Sequence, residues 1–177
     1  MDWNNISEKE KGYLFGLFEG DGYKIYDKNS RHYQVEFYLN SERDTDIIRF
    51  LVKLLNRIKL KPNLYQDKRY KCKRIRVYSK EFLGIIDKNI SLKSKGKDFC
   101  LGFISGLIDS EGHVDKKRGI SVNNTNKQLL KKSKIFLDSM EIYSSISKRS
   151  KSFKDKKDSY RMYISVSFKN TPNLSIK

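Results

Sequence analysis

The chain has 177 residues, 37% of them hydrophobic, and two cysteines; this length allows one compact domain or two intimate half-domains with a sizeable core, and two cysteines exclude a disulfide framework or a cysteine zinc cluster. Lys and Arg number 38 against 21 Asp and Glu, for a net charge of +17 and a pI near 9.8; such an excess points to a nucleic-acid partner, against the plainer reading of a solvated basic surface. No apolar run approaches a membrane span and the polar opening MDWNNISEKEKG is unlike a secretory leader, so no membrane partner and a reducing, cytoplasmic setting are expected.

Ser7 followed by Glu10 fits a capping box. Tyr13, Leu14, Leu17 and Phe18 then recur at helical spacing and predict a helix ending near Gly20–Gly22. Residues 23–26 predict a strand with Ile25 inward and Lys24 and Tyr26 outward. Its hairpin partner runs over residues 34–39, with Val35, Phe37 and Leu39 facing the core and Gln34, Glu36 and Tyr38 facing away. Asp44 opens an amphipathic helix carrying Ile47, Ile48, Leu51, Leu54, Leu55 and Ile58, and Pro62 follows its end. A strand through Arg74, Ile75, Arg76, Val77 and Tyr78 turns Ile75 and Val77 inward, and a short helix around Phe82–Ile86 closes a first half over residues 7–90.

Residues 91–97 (SLKSKGK) read as a linker, and residues 98–177 repeat the order. The spacing predicts a helix over Phe99–Ser110 and strands near His113–Asp115 and Ile120–Asn123. A helix carrying Leu129, Leu130, Phe136, Leu137 and Met140 follows, then a strand over Tyr160–Phe168 with Met162, Ile164 and Val166 inward. Across the halves Asn40 answers Asn124, and Leu60 answers Ile142.

One motif occurs twice. Residues 14–22 read LFGLFEGDG and residues 104–112 read ISGLIDSEG, at a period of 90 residues. Gly16 matches Gly106, Glu19 matches Asp109, Asp21 matches Glu111 and Gly22 matches Gly112. That period is too long for a solenoid and suits two related halves. Small residues four apart, Gly16 and Gly20 in one copy and Gly106 and Ser110 in the other, fall on one helical face and predict a close helix pair between the halves. Asp21 and Glu111 then sit at helix C-termini, where a carboxylate opposes the dipole at a cost of roughly 0.3–1 kcal/mol. As polar caps beside a glycine turn they need no further role. Two matching acids in a basic chain are better explained by a divalent cation held between them, with carboxylate and carbonyl oxygens as ligands and phosphodiester hydrolysis as the chemistry.

On these two motifs, and on the order of elements around them over roughly residues 8–170, the chain resembles the single-chain, two-motif LAGLIDADG homing endonucleases encoded in archaeal introns. The resemblance implies an α+β fold of two pseudo-symmetric αββαββα halves, a saddle of antiparallel strands on DNA with the motif helices at its centre. It implies a monomer acting in intron homing, with sequence-specific double-strand cleavage that needs Mg²⁺ (or Mn²⁺) and leaves short 3′ overhangs. Carried over to this sequence, Asp21 and Glu111 are the catalytic metal ligands, and the carbonyls of Gly20 and Ser110 add to the site. Asn40 and Asn124 stand where polar residues line the active-site periphery, and Lys93, Lys95 and Lys116 are candidates for an assisting base. Glu19 and Asp109 fall at a position that is usually not catalytic, and suit helix-end contacts.

The resemblance also turns the outward strand residues toward the major groove: Lys24, Tyr26, Gln34, Glu36, Tyr38, Arg74, Arg76 and Tyr78 in the first half, and His113, Asp115, Ser121, Asn123, Arg161, Tyr163 and Ser165 in the second. Their Arg, Gln and Asn suit guanine and adenine, though an ordinary solvated sheet face has the same alternation. The run over residues 148–157 (KRSKSFKDKK) is expected on phosphates. Because the two outward sets differ, the expected partner is double-stranded DNA with a long, loosely palindromic site. The competing reading keeps the fold without cleavage, as an RNA maturase bound to intron RNA or a DNA-binding regulator.

Overall fold

Ser7 starts the first helix as its spacing predicts. In the computed structural model, which describes residues 1–67, 70–88, 95–115, 119–149 and 158–165, the Glu10 amide donates to Ser7 Oγ at 3.2 Å and the Ser7 amide donates to Glu10 Oε2 at 2.8 Å. The capping box opens helix α1 (Glu8–Asp21). Strands β1 (Gly22–Asp27) and β2 (His32–Asn40), helix α2 (Thr45–Arg57), strands β3 (Asn63–Asp67) and β4 (Cys72–Tyr78) and helix α3 (Lys80–Ile86) complete the first half. Helix α4 (Lys97–Glu111), strands β5 (Gly112–Asp115) and β6 (Gly119–Asn124), helix α5 (Lys127–Ser139) and strands β7 (Ser144–Lys148) and β8 (Tyr160–Ile164) form the second. Among the described residues, no helix is long and apolar enough to cross a membrane.

Each half folds into a four-stranded antiparallel sheet, in the orders β1-β2-β4-β3 and β5-β6-β8-β7. The predicted inward residues Val35, Phe37, Leu39, Ile75, Val77, Met162 and Ile164 are fully buried, and the predicted apolar stripe of α2 (Ile47, Ile48, Leu51, Leu54 and Leu55) is buried with them. They join α1 and α4 in one core that runs through both halves. Met140 and Phe136 are only partly buried at its margin. Val166 and Phe168 lie outside the described residues. Helices α2 and α5 stop alike: Lys59 and Glu141 take positive φ values of 58° and 60°, and Leu60 and Ile142 donate back to the carbonyls of Leu55 and Leu137, at 3.0 Å each. The match of Leu60 with Ile142 is thus a shared helix-terminating bond.

The two motif helices pack along glycine. A Cβ on Gly16 would stand 2.9 Å from Leu107 N, and one on Gly106 would stand 2.6 Å from Leu17 N, too close for any side chain. The stripe extends one turn further toward the N-termini than the spacing of the motif alone predicts. Gly12 abuts Phe99 and Phe103 while Gly102 abuts Lys9 and Tyr13. These reciprocal contacts describe a self-complementary, pseudo-two-fold interface.

One expectation is corrected, and two strands of the expected halves are located. Strands β3 and β7 are not evident from alternation, because both run along sheet edges; β3 is exposed along most of its length. In β1 the phase is reversed. Directly opposed residues share a face, and Lys24 is opposite Val35, Tyr26 opposite Tyr33, Tyr23 opposite Glu36 and Ile25 opposite Gln34. Lys24 and Tyr26 therefore lie on the core side of the sheet and Tyr23 and Ile25 on the outer side. A lysine is tolerated there because the edge strand overhangs the helices: Lys24 Nζ reaches Asp87 just beyond α3, and Tyr26 packs its ring on Tyr33 with centroids 5.5 Å apart.

Candidate active site and nucleic-acid interface

The chain leaves α1 and α4 directly into strands. Gly22 donates to the Phe18 carbonyl and Gly112 to the Ile108 carbonyl, closing each helix on the residue after its acid. The glycine contacts pair the helices in parallel, so both C-termini meet at one end. There a Cβ on Gly20 would lie 2.5 Å from Ser110 Cβ and 3.0 Å from Glu111 Cγ. Gly20, Ser110 and Glu111 are thus in contact, next to Asp21. Ser110 turns its hydroxyl back to the Gly106 and Leu107 carbonyls, each at 3.1 Å, so what it can offer a ligand is its backbone carbonyl.

Burial holds the Glu111 carboxyl above the usual carboxylate range. Among the described residues no group of three or more His, Cys, Asp or Glu gathers anywhere. Two carboxylates with helix-end carbonyls form an all-oxygen donor set, and a partly desolvated anion at a helix C-terminus gains from a cation. Both features fit Mg²⁺ or Mn²⁺, which bind through one or two carboxylates and keep positions for water and phosphate.

The other motif acids have different surroundings. Asp109 is 0% exposed and accepts the Tyr13 hydroxyl at 2.9 Å, a helix-to-helix contact of the kind expected. Burial and then the Asp109 carboxylate push the Tyr13 hydroxyl well above the ordinary tyrosine range. Glu19 stands on the open side of α1, in the field of Lys132 and Lys24. The pseudo-symmetry therefore breaks about two turns before the acids, since Phe103 stands where Tyr13 would have its mate.

The periphery differs from the expectation. Lys95 lies at the N-terminal end of α4, its Nζ 5.0 Å from the Phe99 ring. A helix of 15 residues is about 22 Å long, so Lys95 is remote from Glu111. Lys93 and Lys116 lie outside the described residues, as does the run over residues 150–157. Asn40 and Asn124 are not equivalent. Gly22 opposes Phe37 and Gly112 opposes Val122, which makes Asn124 the match of Leu39 and Asn123 the match of Tyr38. Asn40 shares the outer face with Glu36 and Tyr38, its Oδ1 accepting from Glu42 and Arg43 amides at 3.0 and 2.9 Å. Asn124 is on the phase of Ile120 and Val122 and caps the turn into α5, accepting from the Asn126 amide at 2.7 Å. Cys72, in a basic stretch of the sequence with no motif around it, also approaches the site. It is opposite Asn40, and its thiol is raised by burial, with the Asp21 carboxylate among the groups that add to the rise.

The outer faces carry most of the predicted polar set. Arg74, Arg76 and Tyr78 on β4 stand opposite Tyr38, Glu36 and Gln34 on β2. Gln34 and Glu36 point outward as predicted, but their neighbours cover them to 3% and 2% exposure. Gln34 Oε1 takes a hydrogen bond with His32 at 2.9 Å, and Glu36 is engaged by Arg76 and Tyr38. Arg74 pairs with Asp67 at 3.2 Å. In the second half His113 is opposite Ser121, Asp115 opposite Gly119, Asn123 opposite Arg161 and Ser121 opposite Tyr163. Arg161 donates to Asn123 Oδ1 at 2.8 Å and to the Tyr163 hydroxyl at 2.9 Å. Ser165 follows β8, its amide on the Tyr143 carbonyl at 2.9 Å. The edge strand adds Asn63, Tyr65 and Asp67 to the first outer face.

The LAGLIDADG-like domain model matches residues 8–91 and again residues 98–169. Among solved structures, a variant of I-DmoI in complex with its target DNA nicked in the coding strand, in the presence of Mn, is 25% identical, with 89% of each chain covered and a TM-score of 0.71. I-DmoI in complex with DNA and Mn is 25% identical over 89% of this chain and 90% of that one, with a TM-score of 0.68. The N-terminal LAGLIDADG domain of WhiA is 17% identical over 89% of this chain and 76% of that one, with a TM-score of 0.59, a likeness of fold alone.

Proposed function

The chain belongs to the LAGLIDADG family, and on that premise we propose that it is a sequence-specific, divalent-metal-dependent double-strand DNA endonuclease. The observation that carries the reading is the meeting of the two helix C-termini, where Gly20 touches Ser110 and Glu111 beside Asp21. Asp21 and Glu111 would hold the metal through their carboxylates, and the carbonyls of Gly20 and Ser110 would add to its protein ligands. Bound Mg²⁺ or Mn²⁺ supplies an activated water and neutralises charge on the leaving oxygen. The glycine interface fixes the distance between the acids, so that one lies toward each strand of a duplex on the two sheets. Water adds to phosphorus as the bond to the leaving oxygen breaks, once per strand, giving short 3′ overhangs. The charge of +17 supplies affinity for phosphate, which carries no sequence information. The outer strand faces read base edges, and because those faces differ, one chain reads a long and only loosely palindromic site. I-DmoI, with its DNA and Mn, supports the reading by its likeness.

Incubation with a randomised DNA library and Mg²⁺ tests it. The wild-type chain is expected to cut a population sharing one long site. Asp21→Asn and Glu111→Gln should each slow cleavage by about a hundred-fold or more, a loss of several kcal/mol of transition-state stabilisation, with DNA affinity retained. Equal cleavage by either variant would sink the metal assignment. Binding without cutting by the wild type would move the protein to the DNA-binding regulators of this fold, and preference for structured RNA to the maturases.

A further inference from the structure

The outer face of the first sheet carries a charge pair with a buried carboxylate that cleavage does not use. Glu36, 2% exposed, stands on β2 opposite Arg76 of β4. Its Oε1 takes the Nε–H of Arg76 and its Oε2 takes the Tyr38 hydroxyl. The Arg76 guanidinium lies 4.6 Å from the Tyr65 ring centroid and donates through Nη1 to the Tyr78 hydroxyl at 3.0 Å. Its stem-side nitrogen is thus anchored and its plane set by a ring, while the side chain keeps 23% of its surface exposed. The rest of its terminal N–H fork has no other acceptor among the described residues. An arginine pinned in this way has already given up the rotamer freedom it would otherwise lose on binding.

We propose that Glu36 is a positioning residue that holds Arg76 for bidentate recognition of a single guanine in the major groove. The inference rests on the DNA-binding reading above and adds the base, the reader and the residue that presents it. Guanine offers the paired O6 and N7 acceptors that a fixed guanidinium fork matches. The second half pins an arginine too, Arg161, whose Nε donates to Asn123 Oδ1 and Nη1 to the Tyr163 hydroxyl, but its partner is a neutral amide and it stands on a different rung. With Gly22 opposite Phe37 and Gly112 opposite Val122, the Glu36–Arg76 rung corresponds to Ser121–Tyr163, which carries neither a carboxylate nor a guanidinium. The Glu36-dependent guanine therefore belongs to the half-site under the first sheet.

Selection of bound sequences from a randomised duplex library, with the full chain and the variants Glu36→Gln and Arg76→Lys, tests the proposal. The wild type should select guanine at one pair on one side of the site centre. Both variants should reduce that preference by about ten-fold or more and leave the profile elsewhere unchanged. Arg76→Lys keeps a cation beside Glu36 on a partly exposed face but lacks the fork, so it decides the matter even where Glu36→Gln does not fold. An unchanged profile in Arg76→Lys, or in folded Glu36→Gln, overturns the proposal and assigns the pair to bracing the sheet. A loss spread evenly over all positions overturns it too. A wild-type chain that selects no DNA sequence overturns the endonuclease reading along with it; one that selects a site without a Glu36-dependent guanine overturns this inference alone.

Discussion

Asp21 and Glu111 occupy matching places in two helices, and burial opposes the ionisation of Glu111. Its raised folded value means that the native state holds the proton more tightly than the unfolded chain does. In metal-free protein, stability therefore falls as pH rises from the ordinary glutamate range through the folded value. Glu111→Gln should remove that component, so the variant should melt above wild type at neutral pH and below pH 4 the difference should vanish. Melting curves with chelator across that range check this, and a variant that melts lower at neutral pH contradicts it. The acids were legible because a repeat places them twice. The same repeat held a correction that alternation alone missed: Tyr23 follows Asp21 as His113 follows Glu111, and both are on the outer face, whereas Lys24 and Tyr26 are not. Lys95 and Asn124 were misplaced for a different reason. Proximity along the chain carries no information about which end of a helix, or which face of a strand, a side chain occupies.

At the level of elements, glycine has opposite meanings in two helices. Gly106 is pressed against the backbone of α1, whereas a Cβ on Gly84 in α3 would meet nothing within 4 Å. Gly106→Ala must push two backbones apart and should cost about 1–3 kcal/mol or more, lowering Tm by several degrees in a chain of this size. Gly84→Ala trades unfolded-state entropy for helix propensity and should gain about 0.5–1 kcal/mol. Thermal melts of the two variants should shift in opposite directions; shifts of the same sign contradict the packing assigned to one of them. Helix α2 was readable because it buries one continuous stripe, every predicted residue of which is hidden, whereas α1 and α4 were readable from the repeated motif, being buried on all sides over their central turns. Strand β3 was not, since an edge strand exposed along most of its length imposes no alternation on its residues, and the five residues of β7 offer Ile146 as their one apolar side chain.

The whole molecule is a basic body with two inequivalent outer faces. Contacts to several phosphates make affinity steeply dependent on salt. Binding of the selected DNA should weaken by about 10³-fold or more between roughly 50 and 200 mM salt, measured by fluorescence anisotropy; a nearly flat dependence would leave the excess charge without a role in binding. The sequence by itself determined the duplication, the order of elements, the sign of the charge and the two acids, because period, apolar spacing and composition are properties of the chain read in one dimension. Tertiary structure alone decided that Gly12 and Gly102 extend the interface, that Tyr13 bonds Asp109 across it, that Asn124 answers Leu39 and not Asn40, and that Glu36 is buried beneath Arg76. Each of these depends on strand register or helix approach. Those are set by contacts between residues far apart in the chain, and a shift of one residue would reverse every face.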